Sequence, residues 1–183
     1  MTEKPDGALK PYARDEKLAR PWIKPGTPDL MHRIGGIEKG LDTGHIEYGP
    51  ENHQKMSEIR RDKVLNVADS IGDQEIAMGK AGGKLAVVGW GSTYGPIHQA
   101  VRRAIAAGQD VSHIHIRNIW PMPKNLGELL HSYDNVIIPE MNMGQLKTMI
   151  RDQYLVDAKP VNKVSGQPFT IVEISAAIEE NLS

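Results

Sequence analysis

Lys84–Trp90 (KLAVVGW), running straight into Gly91-Ser92-Thr93-Tyr94-Gly95-Pro96-Ile97, decides the fold. A short unbroken apolar run that ends in a glycine turn reads as a strand buried on both faces. Pro96 then opens a helix with apolar positions at Ile97, Val101, Ala104 and Ile105, and Gly108 stops it. Strand, tight turn and helix in this order are the first half of a parallel crossover unit.

Downstream the pattern recurs. Strands are predicted at about Val111–Arg117, Asn135–Pro139 and Val161–Val164. Helices are predicted at about Leu126–His131, around Leu146, Met149 and Ile150, and at Ile171–Glu180. Strands alternating with helices give an α/β domain over 84–183, with a doubly wound, mainly parallel sheet. Upstream the texture changes. Residues 1–53 hold six Pro and seven Gly without a sustained apolar period, so they read as an extended connector arm. Trp22, Ile23, Leu30, Met31, Ile34 and Ile37 look buried, which favours an arm that wraps a neighbour over a disordered tail. Residues 54–83 read as a helix and a linker or hairpin, with Asn52 as the helix cap and Met56, Ile59, Val64, Val67 and Ile71 on one face.

Composition narrows the function. The 183 residues include no Cys, which excludes disulfides, thiolate metal sites and a cysteine nucleophile. Lys and Arg number 22 against 23 Asp and Glu, and so even a balance argues against nucleic acid as a partner. No apolar run reaches the ~20 residues of a membrane span, and the polar start is no signal peptide, so a cytoplasmic chain without a membrane partner is expected.

Gly89–Gly95 (GWGSTYG) has the strongest local chemistry. Backbone N–H groups at a strand-to-helix turn can meet an anion, which makes Gly91, Ser92 and Thr93 candidates. A small nucleotide-binding or regulatory module is the reading this supports, with Arg117 suited to a 2′-phosphate. The spacing is GxGxxxG, however, and tight strand–helix packing needs the same glycines. His113 and His115 share one face of a strand, but no third ligand at a metal-site spacing accompanies them, so no metal is expected. His32, His45 and His53 lie in the arm without an adjacent nucleophile. Glu140, at a strand end, suits a general base less well than a capping or interface role, and Asn142 can cap the helix near Gly144.

Four strings then carry a resemblance: VVGWGSTYGPIHQAVRRA (87–104), IRNIWPMPKNLGELL (116–130), VIIPEMNMGQL (136–146) and VNKVSGQPFTIVEI (161–174). Upstream, PGTPDLMHRIGGIEKG (25–40) and YGPENHQKMSEIRRDKV (48–64) continue it. In this order they resemble the C-terminal region of the α subunit of 2-oxoglutarate:ferredoxin oxidoreductases, over nearly the whole chain.

The resemblance implies a transketolase C-terminal-like domain in an enzyme that converts 2-oxoglutarate, CoA and oxidised ferredoxin to succinyl-CoA, CO2 and reduced ferredoxin. It implies thiamine diphosphate, Mg²⁺ and an iron–sulfur cluster on other domains or subunits, and none on this chain. Implied partners are a β subunit, the N-terminal thiamine-enzyme domain of the α subunit, and ferredoxin and CoA through the complex. A homodimer through the arm is a further possibility. Since that N-terminal domain has no counterpart in the sequence, an accessory or assembly role follows, with the isolated chain inactive and no catalytic residue carried over. Residues matching the family's turns are expected at interfaces: Pro121, Pro123, Lys124, Asn125, Glu140, Asn142, Gln145, Lys163 and Gln167.

Overall fold

A computed structural model describes residues 1–3 and 5–182. The chain divides into two compact units, Met1–Ser70 and Ile71–Ser183.

The second unit is built on one five-stranded sheet. Its strands are β1 (Ile76–Met78), β2 (Gly83–Trp90), β3 (Val111–Ile116), β4 (Tyr133–Glu140) and β5 (Lys159–Asn162), in spatial order β1-β3-β2-β4-β5. β2, β3, β4 and β5 run parallel, while β1 pairs antiparallel with β3. The register sets Trp90 opposite Ile116 and Glu140 opposite Asn162, so the parallel strands end along one edge.

Helices cover both faces, because alternate residues of each strand point to opposite sides. Leu85 and Val87 of β2 pack with Ile97 and Val101 of α2 (Tyr94–Ala106) and with Ile174 and Ile178 of α5 (Ile171–Leu182). Ala86 and Val88 face the other way, onto Leu126 and Leu130 of α3 (Leu126–His131) and Leu146 and Ile150 of α4 (Gln145–Tyr154). The Val, Leu and Ile side chains among these, wholly removed from water, each contribute roughly 1.5–3 kcal/mol. The domain is thus α/β, doubly wound and mainly parallel.

Two sequence expectations change here. Residues 72–83, read as a linker or hairpin, contain β1, whose three residues pair only with the distant β3 and so leave no local period to detect. The last strand sits at Lys159–Asn162 instead of Val161–Val164. Pro160 is tolerated because β5 is an edge strand.

The first unit contains α1 (Pro50–Leu65), a 3₁₀ turn at Asn66–Asp69 and mostly irregular chain before them. α1 starts two residues ahead of the expected cap: Gly49 precedes it and Pro50 takes the first turn, where a missing N–H costs nothing. Asn52 Nδ2 instead donates to Lys39 O at 3.0 Å, and Glu38 accepts from Arg60 Nη1 at 2.9 Å and contacts His53 Nδ1 at 2.7 Å. These links join α1 to the segment read as a separate arm. Of the apolar face expected along α1 only Met56 is buried within the helix. The apolar residues of the arm also divide: Leu30 is 2% exposed, whereas Trp22 is 90% and Met31 92% exposed, and Ile34 and Ile37 are open to solvent as well.

Candidate functional site at the carboxyl edge of the sheet

In a doubly wound sheet, ligands favour the crevice where successive crossovers diverge, beyond the strand ends. Here that point lies between β2 and β4, whose last residues are Trp90 and Glu140. Glu140 is fully buried and its carboxylate collects four donors: Trp90 Nε1 at 3.3 Å, Asn142 Nδ2 at 3.1 Å, Leu146 N at 2.9 Å and Lys147 N at 3.0 Å. The last two are free amides of the first turn of α4, so the acid caps that helix and complements its dipole. A general base would need an oxygen available to substrate, and both oxygens are already engaged. Asn142 Oδ1 accepts from Gly144 N at 2.7 Å and from Gln145 N at 3.3 Å, and Gly144, at φ +93°, turns the chain into α4.

The Gly89–Gly95 turn is held equally firmly. Thr93 Oγ1 accepts from Trp90 N at 3.1 Å and donates to Trp90 O at 2.8 Å. A Cβ on Gly89 would lie 2.6 Å from Ile97 Cδ1, so this glycine serves packing and not the approach of an anion. Gly91 takes φ +56° with open space around it, and Ser92 is exposed. The indole Nε1 of Trp90 donates to the buried Glu140 side chain, so an acid and not a cation stands beside this turn, an unfavourable setting for the phosphates of a nucleotide.

The remaining turn residues separate by burial. Pro121 and Pro123 are buried within the unit, so neither presents a surface, and Glu140 likewise is interior. Asn125 ties the segment before β1 in place: its Oδ1 accepts from Gln74 N at 2.7 Å and its Nδ2 donates to Gln74 O at 3.1 Å. Lys163 Nζ donates to Pro168 O at 3.0 Å and to Glu173 at 2.8 and 2.9 Å, closing the loop after β5 onto α5. Lys124, Gln145 and Gln167 are exposed at this edge, and Asn142 is half-buried.

Sequence reading did not foresee an imidazole cluster between β3 and α2. His113 is fully buried, and Tyr94 and His98 join it from α2, with ring centroids 5.2 and 5.8 Å away. His115 lies 5.7 Å from His113 and edge-on to Tyr94 at 4.9 Å. Burial, with the neighbouring His115 and His98, pushes His113 down to about 3, and burial beside Arg117 lowers His115. The spacing of His113 and His115 was legible; the approach of Tyr94 and His98 depends on how α2 lies on the sheet. Beside it, a cavity of about 340 Å³ is lined by Asp73, Glu75, Tyr94, His115 and Arg117 among others.

Among the described residues no group of His, Cys, Asp or Glu converges so as to hold a metal ion, and the absence of Cys leaves no thiolate for an iron–sulfur cluster. The residues here therefore do not fit a metal or cluster cofactor. No helix among them is long and apolar enough to cross a membrane.

Residues 83–174 match the family described as pyruvate:ferredoxin oxidoreductase core domain II. The chain is 45% identical over 188 aligned residues to the 2-oxoglutarate oxidoreductase subunit KorA of Mycobacterium tuberculosis, covering 98% of this chain and 27% of that protein. It is 30% identical over 179 residues to the α subunit of 2-oxoacid:ferredoxin oxidoreductase 1 of Aeropyrum pernix, covering 93% and 27%. Among solved structures, the 2-oxoglutarate:ferredoxin oxidoreductase of Magnetococcus marinus, with 2-oxoglutarate, coenzyme A and succinyl-CoA bound, superposes with a TM-score of 0.90 at 31% identity. That match takes in 100% of this chain and 32% of the other. The chain thus spans roughly a quarter to a third of the relatives it matches. With a family match starting at the first residue of β2 and reaching into α5, it belongs to the pyruvate:ferredoxin oxidoreductase core domain II family.

Proposed function

We propose that the chain is the C-terminal part of the α subunit of a 2-oxoglutarate:ferredoxin oxidoreductase, and that it serves there as an assembly domain. The complex would convert 2-oxoglutarate, CoA and oxidised ferredoxin to succinyl-CoA, CO2 and reduced ferredoxin. Thiamine diphosphate, Mg²⁺ and the iron–sulfur cluster would sit on the N-terminal thiamine-enzyme domain and the β subunit. The observation that carries this reading is the superposition along the whole chain on the Magnetococcus marinus enzyme. Support also comes from the edge of the sheet, where Glu140 and Asn142 are occupied in building α4. The exposed Lys124, Gln145 and Gln167, together with Trp120 and Met143, would face neighbouring domains.

The test is reconstitution. Purified chain alone should show no 2-oxoglutarate-dependent viologen reduction. Co-expressed with the β subunit and the thiamine-enzyme domain, it should copurify with them, and activity should appear. Turnover by the chain alone, or failure to join the complex, would overturn the proposal.

A further inference from the structure

The first unit holds a second cavity, of about 340 Å³, whose walls include Tyr12, Arg14, Gly35, Gly36, Lys39 and Arg60. Lys39 is only 4% exposed. Its ammonium donates to Gly35 O at 3.2 Å and to Ile37 O, and among the described residues no carboxylate lies within ion-pair distance of it. Arg14 is in the same position: its Nη1 donates to Tyr12 O and Leu41 O, both at 2.8 Å, and its Nη2 to Met56 Sδ at 3.5 Å. Arg20 lies over the Tyr12 ring at 5.7 Å with a buried Nη1 that has no partner. Glu38, also on the cavity wall, is held by Arg60 and His53, which leaves Lys39 and Arg14 without a carboxylate of their own. Asp42 is shared with Lys10 at 3.6 Å.

Buried cations in proteins are ordinarily matched by an anion. Here Arg14 and Lys39 line one cavity with Arg60, and among the described residues neither Arg14 nor Lys39 has a carboxylate within ion-pair distance. The glycines of the wall point the same way. Neither Gly35 nor Gly36 takes a left-handed conformation, and a Cβ at either would meet nothing within 4 Å. Neither backbone strain nor packing demands glycine there, whereas bare backbone beside a cavity lets a ligand come close.

We infer that this cavity is an oxyanion site, taking a phosphate or diphosphate group between Lys39, Arg14 and Arg60 against the Gly35-Gly36 backbone. The inference goes beyond the assembly role proposed above and does not depend on it. A diphosphate suits the three lining cations better than a single carboxylate does, and Tyr12, Ile37 and Met56 offer an apolar wall for whatever the phosphate is attached to.

The experiment uses the full chain and two probes, inorganic phosphate and pyrophosphate, followed by calorimetry and by ¹H–¹⁵N spectra. Pyrophosphate should bind at one site per chain, at least tenfold more tightly than phosphate, and should shift the Gly35 and Gly36 amides. Lys39→Met and Arg14→Gln should each weaken it by tenfold or more, while Lys147→Gln, on α4, should leave it unchanged. The spectra keep the test decisive if Lys39→Met does not fold. Shifts confined to other residues, binding indifferent to Arg14→Gln, or no saturable binding of either probe would overturn the assignment.

Discussion

Trp90 Nε1 donates to Glu140 Oε1 at 3.3 Å, joining the ends of the two central strands across the point where a doubly wound fold usually keeps its ligand. The same carboxylate holds the amides of Leu146 and Lys147, so one buried acid fixes both the crevice and the start of α4. Glu140→Gln leaves a single acceptor oxygen and turns an amide N–H toward a backbone N–H. The expected cost is about 2–3 kcal/mol. Trp90→Phe keeps the ring and loses one donor, at about 1 kcal/mol. Urea unfolding of the two variants checks the order, and an E140Q protein as stable as the parent would refute the capping role.

The glycines around that turn should respond differently to the same change. Gly89→Ala would set a Cβ 2.6 Å from Ile97 Cδ1 and 2.9 Å from Thr93 Oγ1, where the core cannot yield without shifting α2. Overpacking of this kind costs about 1–3 kcal/mol. Gly91→Ala meets open space and suffers only from its φ of +56°, roughly 1 kcal/mol. Thermal unfolding should therefore rank G89A below G91A. The reverse order would show that the turn, and not the packing, limits stability.

How much of this could be read beforehand follows from what is local. KLAVVGW identified β2 because a central parallel strand must be apolar on both faces, and Pro96 and Gly108 framed α2. β1 was invisible, since its pairing with β3 is made across more than thirty residues and its three residues carry no period. Glu140 was seen at a strand end, but that the amides of α4 converge on it depends on the Gly144 turn. Trp22 and Met31 were read as packing against a neighbour that the arm wraps; within this chain they face solvent, and sequence cannot say against what an apolar side chain packs.

At the start of α5, Thr170 and Glu173 form a reciprocal cap. Thr170 N donates to Glu173 Oε2 at 2.7 Å, and Glu173 N donates to Thr170 Oγ1 at 3.2 Å. Lys163 completes it, and its hydrogen bond, ahead of those from Thr170, holds the Glu173 carboxyl down to about 2. Thr170→Ala should cost about 1 kcal/mol. Lys163→Met should let the Glu173 carboxyl rise toward the ordinary range, read from its side-chain ¹³C shift against pH. An unmoved titration would mean that Lys163 only closes the loop to Pro168 O.

The buried imidazoles predict a particular acid limb. His113 titrates at about 3 in the folded chain because burial disfavours its charged form, whereas in the unfolded chain it takes up a proton near 6.5. Between those values the unfolded state binds more protons. Stability is therefore complete above about pH 6.5 and falls as the pH drops toward 3, by up to ~1.4 kcal/mol per pH unit for this one group. His115, lowered by burial and by Arg117, steepens the same limb. The groups facing His113 are His98 and Tyr94 from α2 and His115 along its own strand, with no carboxylate among them to hold the charged form. His113→Phe removes the proton acceptor and retains an aromatic ring. Urea midpoints at pH 7, 6 and 5 should fall steeply for the parent and more gently for H113F. Equal slopes would place the acid sensitivity elsewhere in the chain.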